Sequence, residues 1–356
     1  MRVLKFLVVF FILLAIAGGA LAWSAINGLQ TPVQHAAASQ IITIPEGATA
    51  EQIVNTIRAK GVLKESWPLQ MYIRLTRSGP LLKAGEYTFA SPISPLEVLK
   101  QLEEGGQGAL KLTIVEGWNR WDIANAMARI PALKLLSSNQ ALSLMTDTKM
   151  IKDLDPNAPS LEGYMFPSTY FLLSTSTAED VLAQSVKEFR TVWQRELETL
   201  FKAQKRSLHE IVVIASIVET EAKKKEERPV IASVIYNRLK KKMPLGMDCT
   251  LVYAAKIAGK WHNDGKVYQS DIDRTSPYNT RKIVGLPIGP VGCPGLASLK
   301  AALQPAQTNF IYYVRNPADD SGSHNFYSDE AKFNAGVQQL RNWEKQRDAA
   351  LKRASH

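Results

Sequence analysis

An uncharged run from Phe6 to Ile26 sets the first limit on this chain. At helical rise a run of that length reaches about 30 Å, the thickness of a bilayer's hydrocarbon core. Arg2 and Lys5 precede the run, and the next acidic residue is Glu46. Basic residues before an apolar span put residues 1–5 in the cytoplasm and everything after Ile26 on the far side. Ala20-Leu21-Ala22 resembles a signal-peptide cleavage site, which is the rival reading, although the apolar core is long for one. The expectation is a retained single-pass anchor over residues 6–26 in the inner (cytoplasmic) membrane, with a periplasmic C-terminal part.

The 356 residues suit about two domains beyond that anchor. Lys and Arg outnumber Asp and Glu by 43 to 33, a net charge of +10 that favours an anionic partner. A membrane surface or an acidic polymer fits; on the far side of the membrane, nucleic acid does not. Cys249 and Cys293 make no CxxC, and the five histidines make no HExxH. No metal or cofactor is therefore expected.

Residues 27–40 are polar and rich in small side chains, and read as a linker. After them a pattern occurs twice. Thr43-Ile44-Pro45-Glu46-Gly47 followed by Ile53 matches Thr113-Ile114-Val115-Glu116-Gly117 followed by Ile123, at a constant offset of 70. Each copy reads as a strand, an acidic-Gly turn and an amphipathic helix, the first with Thr49 as N-cap and Gln52 at the capping-box spacing. Helices at 66–75 and 94–104 and a strand at 85–89 complete a module over residues 41–110. This strand–helix–helix–strand order resembles LysM modules, which bind N-acetylated glycans; a small α+β domain without a ligand is the equal alternative. Residues 111–350 mix helices (122–129, 178–200, 207–224, 229–242, 330–351) with short strands (112–115, 310–314, 324–327). They lack a regular βαβ beat, so the class is α+β.

The segment Ser207–Glu221 carries the strongest chemical signal. On a helix, Ile211, Ile214, Ile217 and Val218 form one stripe with Glu221 in its middle, while Glu219 points about 160° away. A carboxyl among hydrocarbon side chains loses hydration and holds its proton near neutrality, as a general acid for glycosidic cleavage must. An earlier helix end, or a salt bridge to Lys223–Lys225, would give Glu221 a structural role instead. Asn237 and Arg238 flank the apolar face of the next helix. The segments 276–280 and 285–290 are turn-rich loops with polar side chains suited to sugar hydroxyls, or are simply loops.

Taken in order, these segments resemble the endolytic murein transglycosylases, the YceG-like family. The resemblance rests on Ala215-Ser216-Ile217-Val218-Glu219-Thr220-Glu221, Val234-Ile235-Tyr236-Asn237-Arg238-Leu239, Ser276-Pro277-Tyr278-Asn279-Thr280 and Gly285-Leu286-Pro287. Leu161-Glu162-Gly163-Tyr164-Met165-Phe166-Pro167 and Pro294-Gly295 add to it. It implies cleavage of peptidoglycan between MurNAc and GlcNAc without water. One glutamate, at the position of Glu221, acts first as acid and then as base while the MurNAc C6 hydroxyl closes on C1. An intramolecular attack needs no second catalytic carboxylate. The resemblance further implies substrate contacts from Glu219, Asn237, Arg238, Asp248, Thr250, Tyr278, Asn279 and Thr280, and peptidoglycan synthases as neighbours.

The chain departs from the family pattern in four places. Cys249 stands where proline is usual, Cys293 where asparagine is, Ser168 where aspartate is and Phe333 where histidine is. The two cysteines fall in motifs that the resemblance puts around one active site. They read as one disulfide on the oxidising side of the membrane or as two buried small hydrophobes. Two other functions stay open: a non-catalytic peptidoglycan-binding scaffold, and a hydrolytic, lysozyme-like glycosidase using Asp248 as a second carboxylate.

Overall fold

The computed structural model describes residues 19, 23–38, 40–105, 110–172, 176–319 and 321–354. Most of the expected anchor, residues 6–18 and 20–22, lies outside them. Among the described residues no helix is long and apolar enough to cross a membrane. The chain divides into two compact units, residues 1–112 with 170–176, and residues 113–169 with 177–356.

The first unit runs β1 (Ile42–Ile44), α1 (Ala50–Ala59), α2 (Trp67–Thr76), β2 (Gly85–Tyr87) and α3 (Pro95–Glu104). The strands pair antiparallel, with Ile42 opposite Tyr87 and Ile44 opposite Gly85. Thr49 and Ser94 each close a capping box, with Gln52 and Glu97 as the reciprocal partners, satisfying donors that a helix start leaves open. Alternation in β1 and helical spacing in α1 and α3 send Ile42, Ile44, Ile53, Val54, Ile57, Val98 and Leu102 into one hydrocarbon cluster with Phe89. Residues 27–40 are not a free linker. Leu29 and Ala37 are buried in the same cluster, and Val33 bridges to Ile93. Two apolar side chains in a polar stretch suffice to dock it.

The repeat seen in the sequence is a repeat of local structure. β3 (Leu110–Thr113) leads to Gly117 and α4 (Arg120–Ala128), as β1 leads to Gly47 and α1. Gly47 (φ 78°) and Gly117 (φ 80°) both sit in the left-handed region. The helix caps, Thr49 with Gln52 and Asn119 with Asp122, also keep the offset of 70. β3 pairs with β4 (Thr169–Leu172).

The second unit continues with α5 (Ser138–Leu144) and α6 (Ala178–Val192), whose end widens into a π turn at Trp193–Leu197 before α7 (Glu198–Lys202). Its centre is α8 (Leu208–Glu221), followed by α9 (Arg228–Lys240), α10 (Asp248–Ile257), α11 (Gln269–Asp273) and α12 (Leu296–Leu303). Every residue of α8 from Ile211 to Val218 is buried, so this helix is the core of the unit rather than an amphipathic surface element. β5 (Tyr312–Arg315) and β6 (His324–Tyr327) form an antiparallel hairpin pairing Tyr313 with Phe326 and Arg315 with His324. The terminal helix α13 (Glu330–Ala354) packs on it, with Phe333 stacked on Tyr312 at 4.8 Å.

Candidate active site

A cleft of about 1460 Å³ opens in the second unit at the C-terminal end of α8. Its walls include Glu221 and Lys223, Asp248 to Lys256 along one side of α10, Gly117 and Asn119, and Arg315 and His324 of the hairpin. α8 starts at a capping box between Ser207 and Glu210 and ends on Glu221, after which Ala222 turns to an extended conformation (ψ 110°). The helix thus carries Glu221 to the cleft and stops there.

Glu221 continues the direction of the Ile211/Ile214/Ile217/Val218 stripe, but past its buried end. It is half-buried, and donors rather than hydrocarbon meet its carboxyl. Oε2 accepts the Tyr313 hydroxyl at 2.8 Å, and Oε1 faces the Cys249 backbone N–H at 3.4 Å. Burial, and next the charge of Glu221, push the Tyr313 phenol well above its usual range, so it stays a donor. His324 packs edge-on against Tyr313 at 5.1 Å, and its N–H and Nδ1 both lie 2.7 Å from the Glu227 carboxylate. A chain of contacts from the start of α9 through the hairpin therefore steadies the group that touches Glu221.

Glu219 has a different occupation, as the helical phase required. Its side chain is 5% exposed; Oε1 accepts Arg228 Nη2 at 2.7 Å and Oε2 accepts the Gly295 N–H at 2.9 Å. Both oxygens are committed inside the protein, so Glu219 ties α9 and the 290s loop to α8 instead of facing a substrate. The Glu116 carboxyl lies close against Gly295, where a Cβ would make it move aside.

Of the nine residues expected at the site, Glu221 and Asp248 line the cleft. The other seven hold its walls. The Asn237 amide donates to the Thr308 and Phe310 carbonyls, both at 2.9 Å. Arg238 donates to the Ile311 carbonyl at 2.6 Å and to the Leu245 carbonyl, and lies over the Tyr312 ring. Thr250 and Thr280 are fully buried, their hydroxyls 2.8 Å apart, and the Thr280 hydroxyl accepts the Met247 N–H at 3.0 Å. Asn279 is fully buried, bonded to the Ile272 and Arg274 carbonyls. Tyr278 packs against Tyr253 at 4.8 Å. Tyr278 apart, the reason is shared: each of these side chains bonds a backbone N–H or carbonyl behind the cleft, a buried polar group that needs a partner.

Asp248 opens α10 and is exposed to the cleft, with Arg281 donating to its Oδ1 through Nε (3.2 Å) and Nη2 (2.6 Å). Cys249 and Cys293 are not joined. Cys249 is half-buried at the cleft, whereas Cys293 is fully buried with Sγ 3.9 Å from Glu162 Oε1. The reading as separate thiols holds and the disulfide does not. The exposed Ser168 uses its carbonyl to accept the Ile114 N–H, while Phe333 serves packing.

The carboxyl that burial does lift, to about 7, is Glu162. It is fully enclosed beneath the cleft wall, accepting the Arg120 N–H at 3.0 Å and the Tyr253 hydroxyl at 2.8 Å. Sequence reading placed Glu162 in a motif without giving it a role, and gave none to Tyr313. For Tyr313 a signal existed: alternation along Tyr312–Arg315 puts Tyr313 and Arg315 on one strand face.

The profile of the YceG-like family matches residues 42–339. A Bacillus subtilis protein named endolytic murein transglycosylase is 32% identical over 316 residues, covering 84% of both chains. A protein of the same name from Streptococcus pneumoniae is 27% identical over 336 residues, covering 88% of this chain and 60% of that longer relative. Among solved structures, a YceG-like protein from Listeria monocytogenes aligns with a TM-score of 0.57 at 28% identity, over 83% of this chain and 97% of its own. The profile covers both the repeat and the cleft, so this chain belongs to the YceG-like family.

Proposed function

We infer that this chain is an endolytic lytic transglycosylase that cleaves the MurNAc–GlcNAc bonds of peptidoglycan. One observation carries the reading. At the end of a buried helix, one carboxyl faces a wide polar cleft with a hydroxyl and a backbone N–H on its two oxygens. Relatives of the same family bear the name of that activity.

In the reaction, protonated Glu221 gives its proton to the glycosidic oxygen as the C1–O bond breaks, and the departing sugar leaves as an alcohol. The resulting carboxylate, held by Tyr313 and the Cys249 N–H, then takes the proton of the MurNAc C6 hydroxyl. The C6 oxygen bonds to C1, leaving a 1,6-anhydro end and Glu221 protonated again. The nucleophile is tethered to its target, which replaces the ordering that a positioned water would need. Asp248 shares the cleft with Arg281 on its Oδ1, so a hydrolytic outcome would have a second carboxylate at hand. Mass analysis of products from purified glycan strands decides between them. Ends one water lighter than reducing ends are expected, and reducing ends alone would replace this reading with hydrolysis.

The finer reading adds the setting. Residues 6–26 anchor the chain in the inner membrane with the rest in the periplasm, which brings nascent strands and peptidoglycan synthases within reach. The βααβ order of β1, α1, α2 and β2, with α3 added within residues 41–110, suits a LysM-like glycan-binding module. Protease accessibility of intact spheroplasts tests the placement: digestion of the second unit is expected, and its protection would reverse the orientation.

A further inference from the structure

Beside the cleft lies a smaller groove of about 330 Å³, lined by Trp121, Asp122, Asn125, Lys256, Gly259, Trp261 and Asn263. Lys256 lines both. From Asp248 beside Glu221, α10 runs to Lys256, about 12 Å along its axis. The groove therefore stands further than one sugar ring from the bond-cleaving carboxyl.

Its chemistry is specific. The groove has a volume at the lower end of those that hold small ligands. Trp121 is held in place, with the Arg120 guanidinium over its ring at 4.5 Å and Tyr253 edge-on at 5.2 Å. Trp261 is half-buried on the loop after α10 and has no aromatic partner among the described residues. Among the described residues, neither indole N–H and neither side-chain amide of Asn125 and Asn263 bonds within the protein. Asp122 and Lys256 face each other at 3.6 Å on the floor. The result is two indoles, of which Trp261 has no aromatic or cationic partner among the described residues, with uncommitted amide and N–H groups around them.

We propose that this groove is a sugar-binding subsite that holds a pyranose ring of the glycan strand away from the cut. A pyranose has apolar C–H faces and a rim of hydroxyl and acetamido groups. The faces pack on indole, and the rim meets Asn125, Asn263 and the indole N–H groups. Because Trp121 is already fixed, little ordering is lost on binding. The subsite rests on the transglycosylase reading and deepens it: a second grip on the strand favours long chains over short ones, as cutting within a strand requires.

The test is a length series of uncrosslinked glycan oligomers with the full chain, reading kcat and KM separately. In the wild type, kcat/KM is expected to rise with length once the groove is reached. Trp261→Ala should lower kcat/KM on long oligomers about tenfold through KM, leaving short oligomers unchanged. Trp261→Tyr, which keeps a ring, should restore most of the length dependence; a merely structural role for Trp261 would lower activity at all lengths together. A Trp261→Ala profile superimposed on the wild type overturns the subsite while leaving the activity intact. No cleavage by wild type at any length overturns the activity, and the subsite with it.

Discussion

In the first unit the buried polar side chains among the described residues are Ser78 and Ser94, set in a cluster of Ile, Val, Leu, Tyr and Phe. The second unit buries Asp155, Glu162, Glu219, Arg228, Thr250, Asp271, Asn279 and Thr280 beside its hydrocarbon. Apolar burial is strong but non-directional, and determines that segments meet more than how they meet. Hydrogen bonds in a low-dielectric interior demand one arrangement and penalise any other. The unit with the cleft relies on them most, because loops as well as helix ends and a hairpin form its walls. The Glu219 carboxylate, the Thr250–Thr280 hydroxyls and the Asn279 amide each tie an irregular segment to a helix or to another loop.

The largest effect is expected at Glu221. Glu221→Gln should cut turnover about 10²–10⁴-fold while the melting temperature holds, because the amide fits but cannot donate the proton. The opposite pattern is expected for Phe89→Ala in the first unit, with about 3–5 kcal/mol of stability lost and the chemical step on short oligomers retained. Equal loss of turnover in both variants would break the division of labour.

Next comes the buried pair. Glu219→Gln leaves Arg228 with only the Glu116 carboxylate, 3.8 Å away, and should cost about 3–5 kcal/mol. Residual turnover should stay well above that of Glu221→Gln. Glu219→Gln combined with Arg228→Met should recover part of the stability, since no uncompensated charge remains inside. Denaturant melts of the three variants check this, and a fully additive double variant would remove the pair as a unit.

Glu162 links the polar core to pH. Burial raises its folded pKa from the ordinary 4.5 to about 7, so the unfolded chain ionises first as pH rises. Its contribution is therefore fully present below pH 4.5, falls between 4.5 and 7, and is lost above, a change of about 3 kcal/mol at most. Glu162→Gln keeps an acceptor for the Arg120 N–H and the Tyr253 hydroxyl but does not titrate. Its stability relative to wild type should rise across that window and level off outside it; a constant difference from pH 4 to 8 would show that Glu162 does not titrate there.

Local rules made much of the fold legible. The capping box at Thr49, the motif repeated at offset 70 and the phase of Glu221 against Glu219 all follow from local residue patterns. What was not legible depended on distant partners. The resemblance implied ligand contacts from Asn237, Arg238, Thr250, Asn279 and Thr280; in the structure their side chains bond backbone and hydroxyl groups up to 73 residues away. Tyr313 reaches Glu221 across 92 residues. Linear spacing carries no information about that meeting. The hydrocarbon burial expected around Glu221 failed for a local reason: the helix ends on that residue, so no further turn covers it.

The smallest expected effects concern the two donors on Glu221, and they rank by geometry. Tyr313→Phe removes a 2.8 Å bond to Oε2 from a half-buried tyrosine and should lower kcat about tenfold with KM nearly unchanged. That is the low end for a bond to a charged group, because water in the cleft can replace part of it. The Cys249 N–H lies 3.4 Å from Oε1, at the edge of hydrogen bonding, and proline, the usual family residue there, has no N–H to offer. Cys249 is the second residue of α10, in the first turn, where proline is tolerated. Cys249→Pro should therefore fold and change kcat by only a fewfold. Cys249→Ala keeps the N–H and separates the thiol from the donor. If Cys249→Pro costs more than Tyr313→Phe while Cys249→Ala matches wild type, the backbone donor rather than the phenol holds the carboxyl. The cleft would then depend on the start of α10 more than on the hairpin.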